Sequence, residues 1–245
     1  MAAPSLSQAK ATKAATPTTR NVVDSATSIR WFRWPVVIAT LEPFAFIVLI
    51  MVFAWWIEPR ASREVNLGWR IALGLIPVAS SLAHRDRLRD LGLSFTTLGR
   101  SAREVGAGSM AFAGLILLLG ASTGHRPPPR SIDMNLTLFL YPVWALWQQF
   151  ALHGFVYRRL LQSWRVPRAA AAGAALLFGA VHLPNTTLVA FTIVGGFTWC
   201  RLFHRAPNLF TLSLSHAALA LLLQWALPPE WLHNLRIGPG YWEWR

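Results

Sequence analysis

The amino-acid sequence predicts an all-α membrane protein, a polytopic bundle of about seven transmembrane helices around an intramembrane polar cavity. Three observations support this fold class. Of the 245 residues, 54% are hydrophobic and only 13% are charged, about half the ~25% that is usual for soluble domains. The mean hydropathy is +0.39. Apolar runs long enough to cross a bilayer recur along the chain.

Spanning a ~30 Å hydrocarbon core takes roughly 20 mostly apolar residues, and seven segments are candidates. In chain order they are residues 34–57, 69–83, 105–122, 136–157, 169–183, 188–203 and 209–227. The second segment is broken by Pro77 and the fifth is short. A re-entrant segment at either place would change the side on which the chain ends.

Basic residues are spread between the apolar runs instead of forming one patch. The net charge is +13 and the 23 basic residues are mostly Arg, a pattern typical of loop charges that set membrane topology. It argues against a nucleic-acid partner and for the lipid bilayer as partner. If all seven segments span with the N-terminus inside, the inner segments hold 16 Lys and Arg and the outer ones hold 7. This bias favours an N-terminus in the cytoplasm.

The domain organisation is simple. Residues 1–29 are small and polar, which predicts a disordered N-terminal tail. Residues 30–229 form the helix bundle, and the Trp-rich residues 230–245 are expected at the membrane interface. The single cysteine, Cys200, excludes an intrachain disulfide.

Five strongly polar residues fall inside the predicted spans. Gln148, Gln149 and His153 belong to the fourth span, His182 to the fifth and His216 to the seventh. Such groups at membrane depth are costly and usually functional. Gln149 and His153 are four apart and share one helix face. Convergence of three helices predicts an intramembrane polar site, and the alternative is plain hydrogen bonding between helices.

Three motifs contain these residues: QQFALHG at 148–154, FGAVH at 178–182 and HAALA at 216–220. In order and spacing they resemble the CPBP (Abi) family of CAAX-prenyl-protease-like and bacteriocin-processing intramembrane proteins. Family members carry Glu-Glu-x-x-x-Arg, Phe-x-x-x-His and His-x-x-x-Asn motifs. The stretch DLGLSFTTLGRSAREVG also looks like the family's segment before the core, so the resemblance covers about residues 85–225.

The resemblance implies an all-helical bundle around a conical cavity and an endopeptidase that acts on membrane-tethered peptides or proteins. It also implies a bacterial cytoplasmic membrane. In the family, a Glu at the position of Gln148 would be the general base that acts on water, helped by the two His. The second acidic position and the Arg would organise the site, and the third motif would stabilise the oxyanion.

The departures from the family pattern fall on the chemistry. Gln148, Gln149 and His153 replace the two Glu and the Arg, and Ala220 replaces the Asn. No Asp or Glu occurs from Met134 to Pro229. An amide cannot take a proton as a carboxylate does, and general-base help is typically worth about 10²–10⁴-fold. Loss of the two Glu together with the Arg makes electrostatic sense, because an Arg without the carboxylates would be a buried unpaired charge.

Three chemistries remain open for this remodelled site. A neutral His is suited to act as the base. His153, His182 and His216 could instead bind zinc, since three His with an open position is a known catalytic arrangement. The site could also bind a peptide or lipid without cleaving it. Glu42, in the first span, is a further candidate for a functional carboxylate. We favour the simpler interpretation that Glu42 lies near the interface or pairs with an Arg.

The sequence therefore supports a CAAX-protease-like intramembrane endopeptidase with a His/Gln site. Its alternative is an inactive family member that acts as a peptide- or lipid-binding protein, an immunity protein or an assembly factor. A transporter is disfavoured, because no inverted repeat is visible.

Overall fold

The computed structural model describes residues 36–126 and 134–243, without the side chains of residues 36 and 134–139. All regular elements within these ranges are helical, which confirms the predicted all-α class. The predicted disordered tail, residues 1–29, lies outside the described residues.

The first half of the structure contains three long helices. They are α1 (Val36–Val52), which continues as a π-helical turn π1 (Phe53–Ile57), α2 (Arg63–Ala83) and α3 (Leu98–Ser122). A single helical run follows, made of α4 (Met134–Gln149), the π-helical segment π2 (Phe150–Tyr157) and α5 (Arg158–Trp164). Next come α6 (Pro167–Ala180), α7 (Thr186–Arg205) and α8 (Leu209–Ala226). The chain closes with α9 (Pro229–Leu232) and two 3₁₀ turns, His233–Leu235 and Gly238–Tyr241.

Five helices within the described residues are long and apolar enough to cross a membrane. They are Val37–Ile57, Arg63–Ala83, Leu98–Ser122, Thr186–Arg205 and Leu209–Ala226. The predicted count of about seven is not confirmed, since two predicted spans are missing from this set. The fourth predicted span contains the polar residues Gln148, Gln149 and His153, and α6 has only 14 residues.

The second predicted span is longer than the sequence indicated. Its helix begins at Arg63, after Ser62, whose hydroxyl accepts a hydrogen bond from Val65 N at 3.4 Å. Pro77 lies inside the helix and is buried. Membrane helices tolerate an internal Pro because neighbouring groups satisfy the freed carbonyl. The expectation that Pro77 would break this span is therefore wrong.

The helices α7 and α8, the second of which carries the third motif, each begin at a buried asparagine. Asn185 caps α7, accepting a hydrogen bond from Leu188 N at 3.1 Å, and Asn208 caps α8 in the same way through Thr211 N. Because a side-chain oxygen here satisfies an otherwise unpaired helical N–H, both helices have defined starts within the protein interior.

Small residues allow α6 and α7 to approach closely. Ala170, Ala171 and Ala174 on α6 are fully buried. At the end of the same face, a Cβ on Gly179 would lie 2.4 Å from Cγ1 of Ile193, so only glycine fits there. This close packing places the second motif directly against α7, while α8 packs on both α3 and α4.

The surfaces that point away from the core are apolar. Examples are Met110 and Leu118 on α3, Leu176 on α6 and Leu214 on α8, all exposed. Large apolar exposed faces on long helices are those of a protein surrounded by lipid. The structure thus supports association with the bilayer.

The C-terminal segment, residues 229–241, folds back onto the bundle. Asn185 Nδ2 donates to the carbonyl oxygens of Leu232 at 2.7 Å and of Arg236 at 3.3 Å. Gly238 N donates to Leu183 O at 2.9 Å. The expected interfacial position of this segment stays a prediction, and the structure adds that it is tied to the loop between α6 and α7.

Candidate active site

Two adjoining cavities lie at the motif residues. The larger, of about 790 Å³, is bounded by α1, π1, α2, α4, π2 and α6, and most of its lining is apolar. The smaller, of about 190 Å³, is bounded by α3, α4, α7 and α8. Four of the described residues line both: Trp144, Gln148, His182 and Ile237. This wall between the cavities is where polar groups from different helices meet.

His182 stands just beyond the end of α6. Its Nδ1 lies 2.7 Å from the carbonyl oxygen of Phe178, and the two rings make an edge contact with centroids 4.9 Å apart. A carbonyl only accepts hydrogen bonds, so Nδ1 carries the proton and donates. The Phe-x-x-x-His spacing supplies both contacts, because residues four apart lie one above the other on a helix. Nε2 of His182 is consequently the nitrogen with the lone pair.

His216 enters from α8 and lines the smaller cavity. Its Nδ1 is 3.1 Å from Nε2 of Gln149. The ring lies beside Trp199, with centroids 5.0 Å apart, and meets the edge of Phe178 at 6.2 Å. With Nδ1 engaged, Nε2 is the ring nitrogen left for the cavity.

The two consecutive glutamines have different surroundings. Gln148 lines both cavities, whereas Gln149 is fully buried, lines neither and contacts His216. Successive residues on a helix point in different directions, so one amide faces the cavities and the other supports the wall behind them.

The structure does not bring His153 to the cavities. His153 is fully buried in π2, its Nδ1 donates to the carbonyl oxygen of Gln149 at 3.0 Å, and its ring packs on Phe203 at 5.1 Å. The predicted shared face of Gln149 and His153 assumed a regular α-helix. In the structure a π-helical segment begins at Phe150. The His153 ring contacts the backbone of Gln149 and not its side chain.

The structure does not bring the three histidines of the predicted zinc set around one point, and zinc binding itself stays a prediction. Within residues 36–126 and 134–243, no group of three or more His, Cys, Asp or Glu side chains is placed to hold a metal ion. His182 and His216 border the smaller cavity. His153 does not line it, and its Nδ1 donates a hydrogen bond to a backbone carbonyl. These three His are therefore not arranged as ligands of one ion.

Glu42 has a charged partner, as the favoured interpretation expected. Its carboxylate lies 3.3 Å from Nε of the fully buried Arg159 and 3.1 Å from Nε2 of His84, and it accepts a hydrogen bond from Ser80 at 2.9 Å. It does not line either cavity. This confirms Glu42 as a paired carboxylate away from the site.

Three features of the site were missed by sequence reasoning. Trp144 lies one helical turn before Gln148, a spacing that could have indicated it. Ile237 comes from the C-terminal segment, and no pattern in the sequence places it near the motifs. Glu58, paired with Arg70, lines the larger cavity from the end of the first helix, so the cavity does hold a carboxylate from outside residues 134–229.

Apolar exposed faces on helices long enough to cross a bilayer support an integral membrane protein, and its interior holds the His/Gln cluster. Residues 131–222 match a family model described as type II CAAX prenyl endopeptidase Rce1-like. This match is consistent with membership of the CPBP family and confirms the resemblance carried by the three motifs. No curated protein and no solved structure matches the chain.

Proposed function

We propose that this protein is an intramembrane endopeptidase of the CAAX-protease-like type and that His182 is its general base. The observation that carries the proposal is the hydrogen bond from His182 Nδ1 to the Phe178 carbonyl oxygen. It leaves Nε2 with a lone pair on a residue that borders both cavities. A neutral imidazole is suited to accept a proton near pH 7.

The proposed reaction is hydrolysis of one peptide bond. Nε2 of His182 takes a proton from water as the water oxygen bonds to the scissile carbonyl carbon. The same proton then passes to the amide nitrogen as the C–N bond breaks. Gln148 lines both cavities beside His182, and its amide can hold the water or the substrate carbonyl by hydrogen bonds.

The two cavities suggest how a membrane-tethered substrate would bind. The larger one, mostly apolar and about 790 Å³, has room for a lipid anchor, while the smaller one offers His216 to the peptide. The scissile bond would then lie at the wall that the two cavities share. This arrangement supports a substrate in which an apolar anchor adjoins the bond that is cut.

The test uses the full-length protein in liposomes with a peptide that carries a prenylated cysteine three residues from its C-terminus. Release of the C-terminal tripeptide is measured by mass spectrometry, and the same peptide without the prenyl group is the comparison. We expect His182→Ala to lower the cleavage rate by about 10²–10⁴-fold, the usual value of general-base help. The matched control is His204→Ala, an exposed histidine at the end of α7.

Two results would overturn the proposal. Wild-type cleavage rates in His182→Ala would remove His182 as the base. Folded wild-type protein that binds the prenylated peptide and leaves it intact would exclude proteolysis of this substrate class, and the binding, immunity or assembly alternative would take its place.

A further inference from the structure

Gln149 is a fully buried amide whose contact is with a histidine of another helix. Its Nε2 lies 3.1 Å from Nδ1 of His216, across 67 residues of sequence. Its Oε1 is buried and has no hydrogen-bond partner among the described residues. The side chain lines neither cavity, so any effect of Gln149 on the site passes through His216.

The direction of this hydrogen bond decides the protonation of the imidazole. An amide nitrogen is only a donor, so Nδ1 of His216 must be the acceptor and its proton must sit on Nε2. With the amide reversed, its oxygen would face Nδ1 of His216 and the ring would have to carry its proton there. In the structure the amide nitrogen faces the ring, and the amide oxygen is buried without a partner among the described residues.

We infer that Gln149 is a positioning residue that holds His216 as the Nε2–H tautomer, so that His216 presents a hydrogen-bond donor to the smaller cavity. The use of that donor rests on the proposed function, in which the oxygen of the scissile carbonyl would accept it. His182 is held in the opposite tautomer by the Phe178 carbonyl. The two histidines thus form a donor and an acceptor around one site.

The donor role of His216 requires an amide at position 149. A carboxylate only accepts hydrogen bonds, so a Glu there would require a proton on Nδ1 of His216. The ring would then either lose its Nε2 donor or become a charged imidazolium. With Gln149, the ring keeps its donor and stays neutral, which suits a buried residue.

The test is nitrogen NMR of the full-length protein in detergent micelles or nanodiscs, labelled with ¹⁵N in histidine. Spectra are recorded about two pH units above the ordinary histidine pKa of ~6.5, where free imidazoles are neutral. Signals are assigned by their loss in His216→Gln and His182→Gln. We expect a protonated Nε2 for His216 and a protonated Nδ1 for His182, both in wild-type protein without substrate.

A substitution tests the cause. In Gln149→Glu, we expect the protonated and unprotonated nitrogens of His216 to exchange, or both to become protonated, while His182 is unchanged. The matched control is Gln224→Glu, on the same helix as His216, where the amide instead contacts Asn234. It should leave both tautomers as in the wild type.

A wild-type His216 protonated on Nδ1 would overturn the inference, and so would an unchanged His216 spectrum in Gln149→Glu. The wild-type spectrum decides even if a variant fails to fold. Since no substrate is present, the result is separate from the cleavage test. If NMR shows the opposite tautomers but the protein does not cleave the peptide, the proposed function is wrong and the inference about Gln149 still holds.

Discussion

Arg159 is a fully buried charge, and the structure neutralises it from two directions. Its guanidinium lies 2.8 Å from Asp86 and 3.3 Å from Glu42, and Nε also donates to Ser80 at 3.1 Å. Asp86 is itself fully buried and is shared with Arg158. Arg159 is the second residue of α5, just after π2, so this ion cluster ties the α4–π2–α5 run to α1 and to the segment after α2.

We predict that Arg159→Met destabilises the protein by about 3 kcal/mol, the lower end of the cost of breaking a buried ion pair, because Asp86 keeps Arg158 and Glu42 keeps His84 as remaining partners. The measurement is the free energy of unfolding in mixed micelles with increasing sodium dodecyl sulfate. Arg89→Met is the matched control. Arg89 is 66% exposed beside Asp90, and surface pairs of this kind are worth about 0–1 kcal/mol. Similar losses in both variants would contradict the structural importance of the cluster.

In the His/Gln site, two adjacent residues of one motif have different roles. Gln148 borders the cavities and Gln149 holds His216 from behind. The sequence predicted all the motif residues together as one site. Their division depends on which way each side chain points, and this is set by packing between helices.

At the scale of elements, α3 and α8 approach until backbone meets backbone. A Cβ on Gly120 would lie 2.4 Å from the carbonyl oxygen of Ala226. Such an obstacle cannot move aside like a flexible side chain. The contact holds α3 against the end of α8, the helix that carries His216.

We predict that Gly120→Ala costs about 1–3 kcal/mol through overpacking. Gly114→Ala on the same helix is the control, since nothing lies within 4 Å of a Cβ there. In an open helical position alanine is favoured over glycine by about 1 kcal/mol, so Gly114→Ala should be neutral or stabilising. Thermal unfolding in detergent compares the two variants. Equal stability of both would show that α3 and α8 do not pack this closely.

The presence of the helices was largely predictable from the sequence, but their α- or π-helical hydrogen-bond register was not. The apolar runs predicted every long helix in the described ranges, with bounds displaced by up to seven residues. Hydropathy cannot distinguish π-helical from α-helical register, and π2 is therefore absent from the sequence-based picture. His153 lies in this segment, contacts the Gln149 backbone and lines neither cavity.

For the whole molecule, the charges of two connecting segments predict the direction in which α2 crosses the membrane. Arg85, Arg87 and Arg89 lie in the segment between α2 and α3, whereas Arg60 belongs to the segment between π1 and α2. The excess of 16 over 7 Lys and Arg was counted on seven spans, but these two segments lie on opposite sides if α2 alone crosses. We propose that the segment with three Arg is cytoplasmic.

We predict that an impermeant thiol reagent added to intact cells labels Ser62→Cys and does not label Arg89→Cys until the membrane is permeabilised. Both positions are exposed, and the native Cys200 is fully buried and serves as the unlabelled background. Labelling in the reverse order would invert the topology. Labelling of both in intact cells would show that α2 does not cross the membrane.

Composition, apolar run length and motif spacing were sufficient to predict the all-α class, association with the bilayer and the resemblance to the CPBP family that the family-model match supports. These are properties of the linear sequence, because none of them depends on how the helices pack against one another. Only the tertiary structure decided that His182 and His216 border one cavity while His153 does not, that Glu42 pairs with Arg159, and that Ile237 reaches the site. These outcomes depend on contacts across tens of residues or more, where packing distance and backbone direction determine which side chains meet.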